Sequence, residues 1–305
     1  MSWASLMWES SGGELMARLR AWWYGIDFRE LAPPPVVEEP VVEVAHDEQP
    51  LDKLALFQQI WGSGFVMPGG AEQIMTLVKP FGVNPAMSLL DLTAGLGAPS
   101  RHVSATFDVY ITALERSAEI ARRGHAMSVD AGLGRKVPIT AYDPESIELR
   151  PHAFDAVYAQ FLTTGVVDKE RLVREVMRSL KPRGQFSFFD FMLRDGEADN
   201  PKLDKLRQVE RYPVLPWKVP QYIDCLTNAG FDCRIAEDHT AVYRGYVLEG
   251  WQHLMAMVEL ETLPKPHLLA LLEEAELCAQ RLGAIDSGVL NVYRFYAVST
   301  YGAVM

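Results

Sequence analysis

Asp91, Gly95, Gly97, Glu115 and Asp143 are the residues whose types and spacing could do chemistry. The first three lie in Ser88-Leu-Leu-Asp-Leu-Thr-Ala-Gly-Leu-Gly97, an apolar run that ends in a polar, glycine-bearing turn. Glycine at such a turn lets the backbone approach a ligand and take up positive φ. Glu115 ends the next apolar run. A carboxylate there can accept both hydroxyls of a ribose, because carboxylate and diol match as a two-pronged pair. Asp143 follows the third run, where a carboxylate can accept the exocyclic amine of adenine. The turn continues Ala98-Pro-Ser100, so a serine stands where a dinucleotide fingerprint has its third glycine. That disfavours a pyrophosphate ligand and a dinucleotide oxidoreductase.

These residues need a frame, and the hydrophobic pattern supplies one. Short apolar runs over 87–92, 109–114, 137–141, 154–159, 185–191, 231–236 and 289–300 read as strands. Helical periods over 51–61, 71–79, 117–128, 169–180, 219–229, 243–262 and 265–282 alternate with them. Pro99 opens a further helix and Ser117 suits a helix cap. The alternation predicts an α/β fold, a doubly wound, mostly parallel seven-stranded sheet covered on both faces, with helical additions. In such a sheet ligands sit at the carboxyl ends of the strands, which is where the three acids fall.

Five segments in order carry a family resemblance: Asp91-Leu-Thr-Ala-Gly-Leu-Gly97, Ala113-Leu-Glu-Arg-Ser117, Ala141-Tyr-Asp-Pro144, Phe154-Asp-Ala-Val-Tyr158 and Leu180-Lys-Pro-Arg-Gly-Gln-Phe186. Together they resemble the class I S-adenosylmethionine-dependent methyltransferases, a Rossmann-like family, over residues 52–300. The resemblance implies S-adenosyl-L-methionine as cofactor. It assigns Asp91, Gly95 and Gly97 to its methionine part, Glu115 to the ribose and Asp143 to the adenine amine. Leu56-Phe-Gln-Gln-Ile-Trp-Gly-Ser-Gly-Phe-Val-Met-Pro-Gly-Gly70 is similar to the segment before the first strand in phosphoethanolamine N-methyltransferases. By that likeness Phe65, Val66 and Met67 would touch the cofactor. Two late helices and the aromatic last strand Val292-Tyr-Arg-Phe-Tyr-Ala-Val298 fit the same group.

The acceptor side departs from that group. Its aspartate and histidine after the fourth strand are replaced in Tyr158-Ala-Gln-Phe-Leu-Thr-Thr-Gly165 by Phe161 and Gly165. Catalytic residues are therefore unassigned. Gln160, Phe161, Asp190, Phe191, Arg194 and Tyr212 are the acceptor-pocket candidates, with Arg211, His239, Tyr243, Tyr246 and His253 as further ones. The function expected is methyl transfer to nitrogen or oxygen of a small molecule. A cofactor-binding regulator without activity is the alternative, as is a methyltransferase acting on a protein partner.

Residues 1–48 read as an appendage. Positions 11–28 have a helical apolar stripe with Trp22 and Trp23, and Ala32-Pro-Pro-Pro-Val-Val-Glu-Glu-Pro-Val-Val-Glu-Val44 suits a semi-stiff linker. The stripe could dock on a protein partner or on the chain's own domain, 49–305. Few cations on it argue against a membrane surface. The net charge of -11 disfavours nucleic acid. Cys225, Cys233 and Cys278 match no metal spacing, so no metal site is expected and a reduced, cytoplasmic setting is. No apolar stretch is long enough to cross a bilayer.

Overall fold

Helices and strands in this chain are cut by local signals. The computed structural model describes residues 52–194, 200–257 and 263–302; the arm and linker lie outside them. Asp52 caps α1 (Lys53–Trp61) by accepting from the backbone N–H groups of Leu54 and Ala55. Gly69, in the left-handed region, starts α2 (Gly70–Val78). β1 (Ser88–Asp91) runs into α3 (Ala98–Phe107), with Pro99 in its first turn. Next come β2 (Tyr110–Glu115) and α4 (Ala118–Asp130), whose Ile120 N–H is capped by Ser117 Oγ. β3 (Ile139–Ala141) connects without a helix to β4 (Phe154–Gln160). Asp168 caps α5 (Lys169–Ser179), and β5 (Leu180–Leu193) follows.

The second half adds α6 (Pro201–Val209), α7 (Val219–Asn228), β6 (Phe231–Asp238), α8 (Thr240–Met257), α9 (Lys265–Asp286) and β7 (Leu290–Ser299). The strands form one seven-stranded sheet in the order β3-β2-β1-β4-β5-β7-β6. β7 runs antiparallel between β5 and β6, and the other pairings are parallel. The doubly wound reading holds. Two details differ from it. β5 begins earlier, because Leu180 already pairs with Phe154 and the Lys181–Gly184 turn is a bulge inside the strand. α6 is an additional helix. Its polar sequence buries just Leu203 and Leu206, but Asn200 as cap and Pro201 at the first position mark its start.

Two cores flank the sheet, and strand alternation sorts residues between them. Leu89, Tyr158, Phe189 and Phe191 face the layer of α1, α2, α8 and α9. Leu90, Val157, Phe188 and Met192 face α5 and α7. The first layer overhangs the carboxyl ends of the central strands and encloses the site.

Candidate active site

The turn after β1 is held from below. Asp91 is fully buried, and its carboxylate accepts from Thr93 N–H at 2.8 Å and from Ser100 Oγ at 2.6 Å. Ser100 Oγ also lies 3.0 Å from the Tyr158 hydroxyl. The serine that replaces a fingerprint glycine thus ties β1 to α3 and β4. Burial pushes the Asp91 carboxyl up to about 6, against the opposing pull of Ser100 and Thr93. A folded-state value above the ordinary 3.8 means stability that is full below about 3.8 and lost as pH rises through about 6. Asp91→Asn cannot ionise. The stability of the wild type relative to this variant should fall by about 3 kcal/mol between pH 4 and 7 in denaturant unfolding. A pH-independent difference would show that Asp91 ionises freely.

Above the turn, Glu115 Oε2 accepts from Gly95 N–H at 2.9 Å and Oε1 accepts from Ser117 N–H at 3.0 Å. Burial raises its carboxyl above the ordinary range. Gly95 (φ 54°) and Gly97 (φ 85°) are both left-handed. A Cβ on Gly95 would stand 2.8 Å from Val66 Cγ2, so the entry segment lies directly on the turn. That segment is anchored by Gly64, whose N–H donates to Gln58 Oε1 at 2.7 Å and whose carbonyl accepts from Ala98 N–H.

Gly124 of α4 completes this packing, and the sequence reading missed it. A Cβ there would stand 2.9 Å from the Gly95 carbonyl oxygen and 3.0 Å from the Leu96 carbonyl carbon. The signal was a glycine inside a helical period, which costs about 1 kcal/mol unless packing demands it. Gly124→Ala gains that propensity but presses on backbone that cannot rotate aside. A net loss of about 1 kcal/mol or more in unfolding free energy is expected, with weaker ligand binding at the turn. An alanine variant as stable as the parent would show that α4 shifts freely.

A cavity of about 880 Å³ opens here. Val66, Thr93 and Glu115 line one part of it, and Gln160, Phe161 and Phe191 line the ends of β4 and β5. Phe161 has φ 52°, a strained conformation for a non-glycine residue, and its ring lies 4.9 Å from Phe191 and 5.2 Å from Tyr243. Gln160 is not a free group, since its Oε1 accepts from Gln73 Nε2 at 2.8 Å. Arg116 crosses the mouth. Its guanidinium sits 3.8 Å from the centre of the Tyr212 ring and donates to the Gly165 carbonyl. A side chain at Gly165 would collide with Arg116.

α6 and α9 wall the far part of the cavity, and three charged residues there went unnoticed in sequence. Arg281 Nε and Nη2 donate to Glu210 Oε1 and Oε2 at 2.5 and 2.9 Å, a bidentate pair. Arg211 Nη2 donates to Glu274 Oε2 at 3.2 Å. In sequence, Glu210, Glu274 and Arg281 look like solvated helix charges.

Several expected site residues lie elsewhere. Asp91 supports the turn from behind and does not line the cavity. Asp143 is exposed on a separate groove, where its carboxylate caps the following turn through Glu145 N–H and Ser146 Oγ. Phe65 packs in the core while Val66 and Met67 reach the cavity. Asp190 is fully buried on the opposite face of the sheet and accepts from Thr163 Oγ1, Thr164 N–H and Thr164 Oγ1. It cannot share the Phe191 side, because adjacent strand residues point to opposite faces. Arg194 packs against Gly288 at the end of β5. His239 and Tyr246 line a smaller pocket beside Gln73 and Tyr243, and His253 is exposed. Among the described residues no group of three or more His, Cys, Asp or Glu could hold a metal ion, and no helix is long and apolar enough to cross a membrane.

Residues 90–188 match a family described as a methyltransferase domain. The structure resembles Haemonchus contortus phosphoethanolamine N-methyltransferase 2 in complex with phosphomonomethylethanolamine and S-adenosylhomocysteine. The TM-score is 0.71 at 20% identity, over 81% of this chain and 57% of that one. Residues 90–188 are a methyltransferase domain. Sterol 24-C-methyltransferase of Yarrowia lipolytica is 28% identical over 61% of this chain and 51% of its own. Phosphoethanolamine N-methyltransferase 1 of Arabidopsis thaliana is 26% identical over 60% of this chain and 36% of its own. The chain thus spans about half, or less, of these relatives' lengths. In the methyltransferase domain the matched segment runs from β1 into β5, the half that carries Glu115 and the glycine turn.

Proposed function

We propose that the domain, taken as residues 49–305, binds S-adenosyl-L-methionine and transfers its methyl group to a small-molecule acceptor that has an apolar body and no phosphate. The relatives' acceptors include phosphate-bearing and apolar molecules, so the choice rests on this chain's cavity. One observation carries it: among the described residues, each cation lining the cavity is already engaged. Arg123 donates to Asp52 and Lys53 to Glu273. Arg211 and Arg281 hold Glu274 and Glu210, and Arg116 lies on Tyr212. A phosphate would have to displace a carboxylate from one of them. Apolar and aromatic side chains, Phe161, Phe191 and Leu277 among them, make up the rest of the far wall.

The residues at the turn fit the cofactor. Glu115 uses two of its roughly four acceptor positions on Gly95 and Ser117, which leaves capacity for a diol. Gly95 keeps the floor clear of a Cβ. Bound S-adenosylmethionine supplies an electrophilic methyl group. The chain's part is to hold the diol, exclude water and aim the acceptor. With Phe161 and Gly165 after β4, the chain offers no carboxylate or imidazole there to take a proton. Burial also pushes the Tyr243 hydroxyl up, so it stays protonated. An acceptor atom placed at the end of β4 would therefore have to be nucleophilic without deprotonation, since the cavity's carboxylates, Glu210 and Glu274 among them, stand on other walls. The same lack of a base favours a second reading, cofactor binding without turnover.

Calorimetric titration with S-adenosylmethionine and S-adenosylhomocysteine, followed by a turnover screen of acceptors with and without phosphate, tests both. Binding with turnover of phosphate-free acceptors is expected. Failure of both compounds to bind overturns the proposal, preferred turnover of phosphate esters overturns the acceptor class, and binding without any turnover moves the assignment to the second reading.

A further inference from the structure

Among the described residues four non-glycine residues have a positive φ, and of these Phe161 alone lines the cavity. An aromatic residue held there is strained, and such strain persists only where the surroundings over-determine the backbone. The chain is pinned on both sides of Phe161. Its own N–H donates to the Phe189 carbonyl at 2.8 Å, so β5 fixes the point where β4 ends. Beyond it, the single turn Thr163–Gly165 is gripped by Asp190. One carboxylate oxygen of Asp190 accepts from Thr163 Oγ1 at 2.5 Å and from Thr164 N–H at 3.0 Å. The other accepts from Thr164 Oγ1 and from Phe191 N–H at 2.7 Å. All of the roughly four acceptor positions of a carboxylate are then filled. Asp190 is itself fully buried in β5, between β4 and β7, so the grip is fixed to the sheet. The mouth of the cavity hangs on the same turn. The Thr164 carbonyl accepts from Leu215 N–H at 3.0 Å, and the Gly165 carbonyl accepts from Arg116.

We propose that Asp190 is a positioning residue for the methyl acceptor. From the opposite face of the sheet it clamps the turn after β4, and so holds the Phe161 ring against Phe191 and Tyr243 as a preformed wall of the cavity. This rests on the acceptor class proposed above. Phe161 packs 4.9 Å from the Phe191 ring and 5.2 Å from the Tyr243 ring, while the hydroxyls of Thr163 and Thr164, two and three residues on, turn to Asp190. Released from that grip, Phe161 relaxes to an ordinary negative φ and its ring leaves the pair. A wall set in advance spares the acceptor the cost of ordering it on binding. The clamp needs a carboxylate. An asparagine of the same shape presents one oxygen and an NH2 group, so part of the four donors goes unmet. Glu115 keeps its bonds to Gly95 and Ser117 whether or not the clamp is closed, so the cofactor end is independent of it.

The test uses the full chain and its Asp190→Asn, Thr164→Val and Thr164→Ser variants. Valine removes the hydroxyl at nearly constant shape, and serine keeps it. Three quantities are read: the nuclear Overhauser contact between the Phe161 and Tyr243 rings, the affinity for the uncharged apolar dye N-phenyl-1-naphthylamine, and the affinity for S-adenosylhomocysteine. Asp190→Asn and Thr164→Val should lose the ring contact and bind the dye about fivefold more weakly, in line with one aromatic contact. Thr164→Ser should match the parent in both, and S-adenosylhomocysteine affinity should be unchanged throughout. A ring contact that survives in Asp190→Asn and Thr164→Val overturns the clamp. A lost contact with unchanged dye affinity overturns the role in acceptor binding. Equal losses of dye and S-adenosylhomocysteine affinity overturn it as well, since they mark a general loosening of the site. If Asp190→Asn does not fold, the two Thr164 variants decide by the same criteria. A dye bound equally by parent and variants fails the clamp alone and leaves the acceptor reading standing. No dye binding by the parent overturns both, and S-adenosylhomocysteine titration of that protein shows whether the cofactor reading stands.

Discussion

Glu115→Ala should weaken S-adenosylhomocysteine binding by about 100-fold, the largest single effect on the cofactor half. Two losses combine. The diol loses a charged acceptor, worth about 1.5–3 kcal/mol. The turn loses the carboxylate that fixes Gly95 N–H at 2.9 Å, so the floor of the site is no longer preorganised. Glu115→Gln separates them, since an amide can still accept from one N–H. It should retain the fold and an intermediate affinity. Calorimetric titration of both variants decides the matter, and an alanine variant that binds as well as the parent places the ribose elsewhere.

Arg281→Met should cost about 2–4 kcal/mol of folding stability. The bidentate partner Glu210 would be left largely buried without its counter-charge, which is far more costly than losing a surface pair. The double variant with Glu210→Met should recover most of the loss, because an apolar pair suits a wall that already holds Phe191 and Leu277. Denaturant unfolding of the two variants gives the comparison. If the single variant loses less than about 0.5 kcal/mol, water solvates the pair and the wall is open. Cofactor affinity should change little in either, since Arg281 stands at the acceptor end.

The sheet and its turn were readable because their signals are local. Buried parallel strands appear as continuous apolar runs, and Pro99 and Ser117 mark helix starts with their own backbone chemistry. Glu115 was readable for the same reason, as it ends a strand at the face where such sheets bind ligands. Asp143 and Asp190 show where this fails. Both end or follow strands, yet the direction of a side chain depends on which turn it caps and on which face its parity selects. Placing Asp190 and Phe191 together in one pocket contradicted the two-residue period. The acceptor wall was out of reach for another reason. Glu274 sits in Leu-Leu-Glu-Glu-Ala-Glu-Leu, where three glutamates look alike, and the packing of α1 and α6 against α9 selects the one that is buried.

β6 and β7 are hydrogen-bonded neighbours, and α8 and α9 are the chain between them. Asp238 pairs with Tyr293, and its carboxylate accepts from Asn291 Nδ2 at 2.9 Å, so the excursion leaves and rejoins the sheet at almost the same point. Such an insert is closed by a hairpin that exists without it, and its length adds little to the entropy of closure. It carries Tyr243, Glu274 and Arg281 but none of the groups at the β1 turn. The acceptor wall is in this sense a replaceable module. Its residues can change while the β1 turn keeps its geometry, because the hydrogen bonds of Glu115 to Gly95 and Ser117 do not run through the insert.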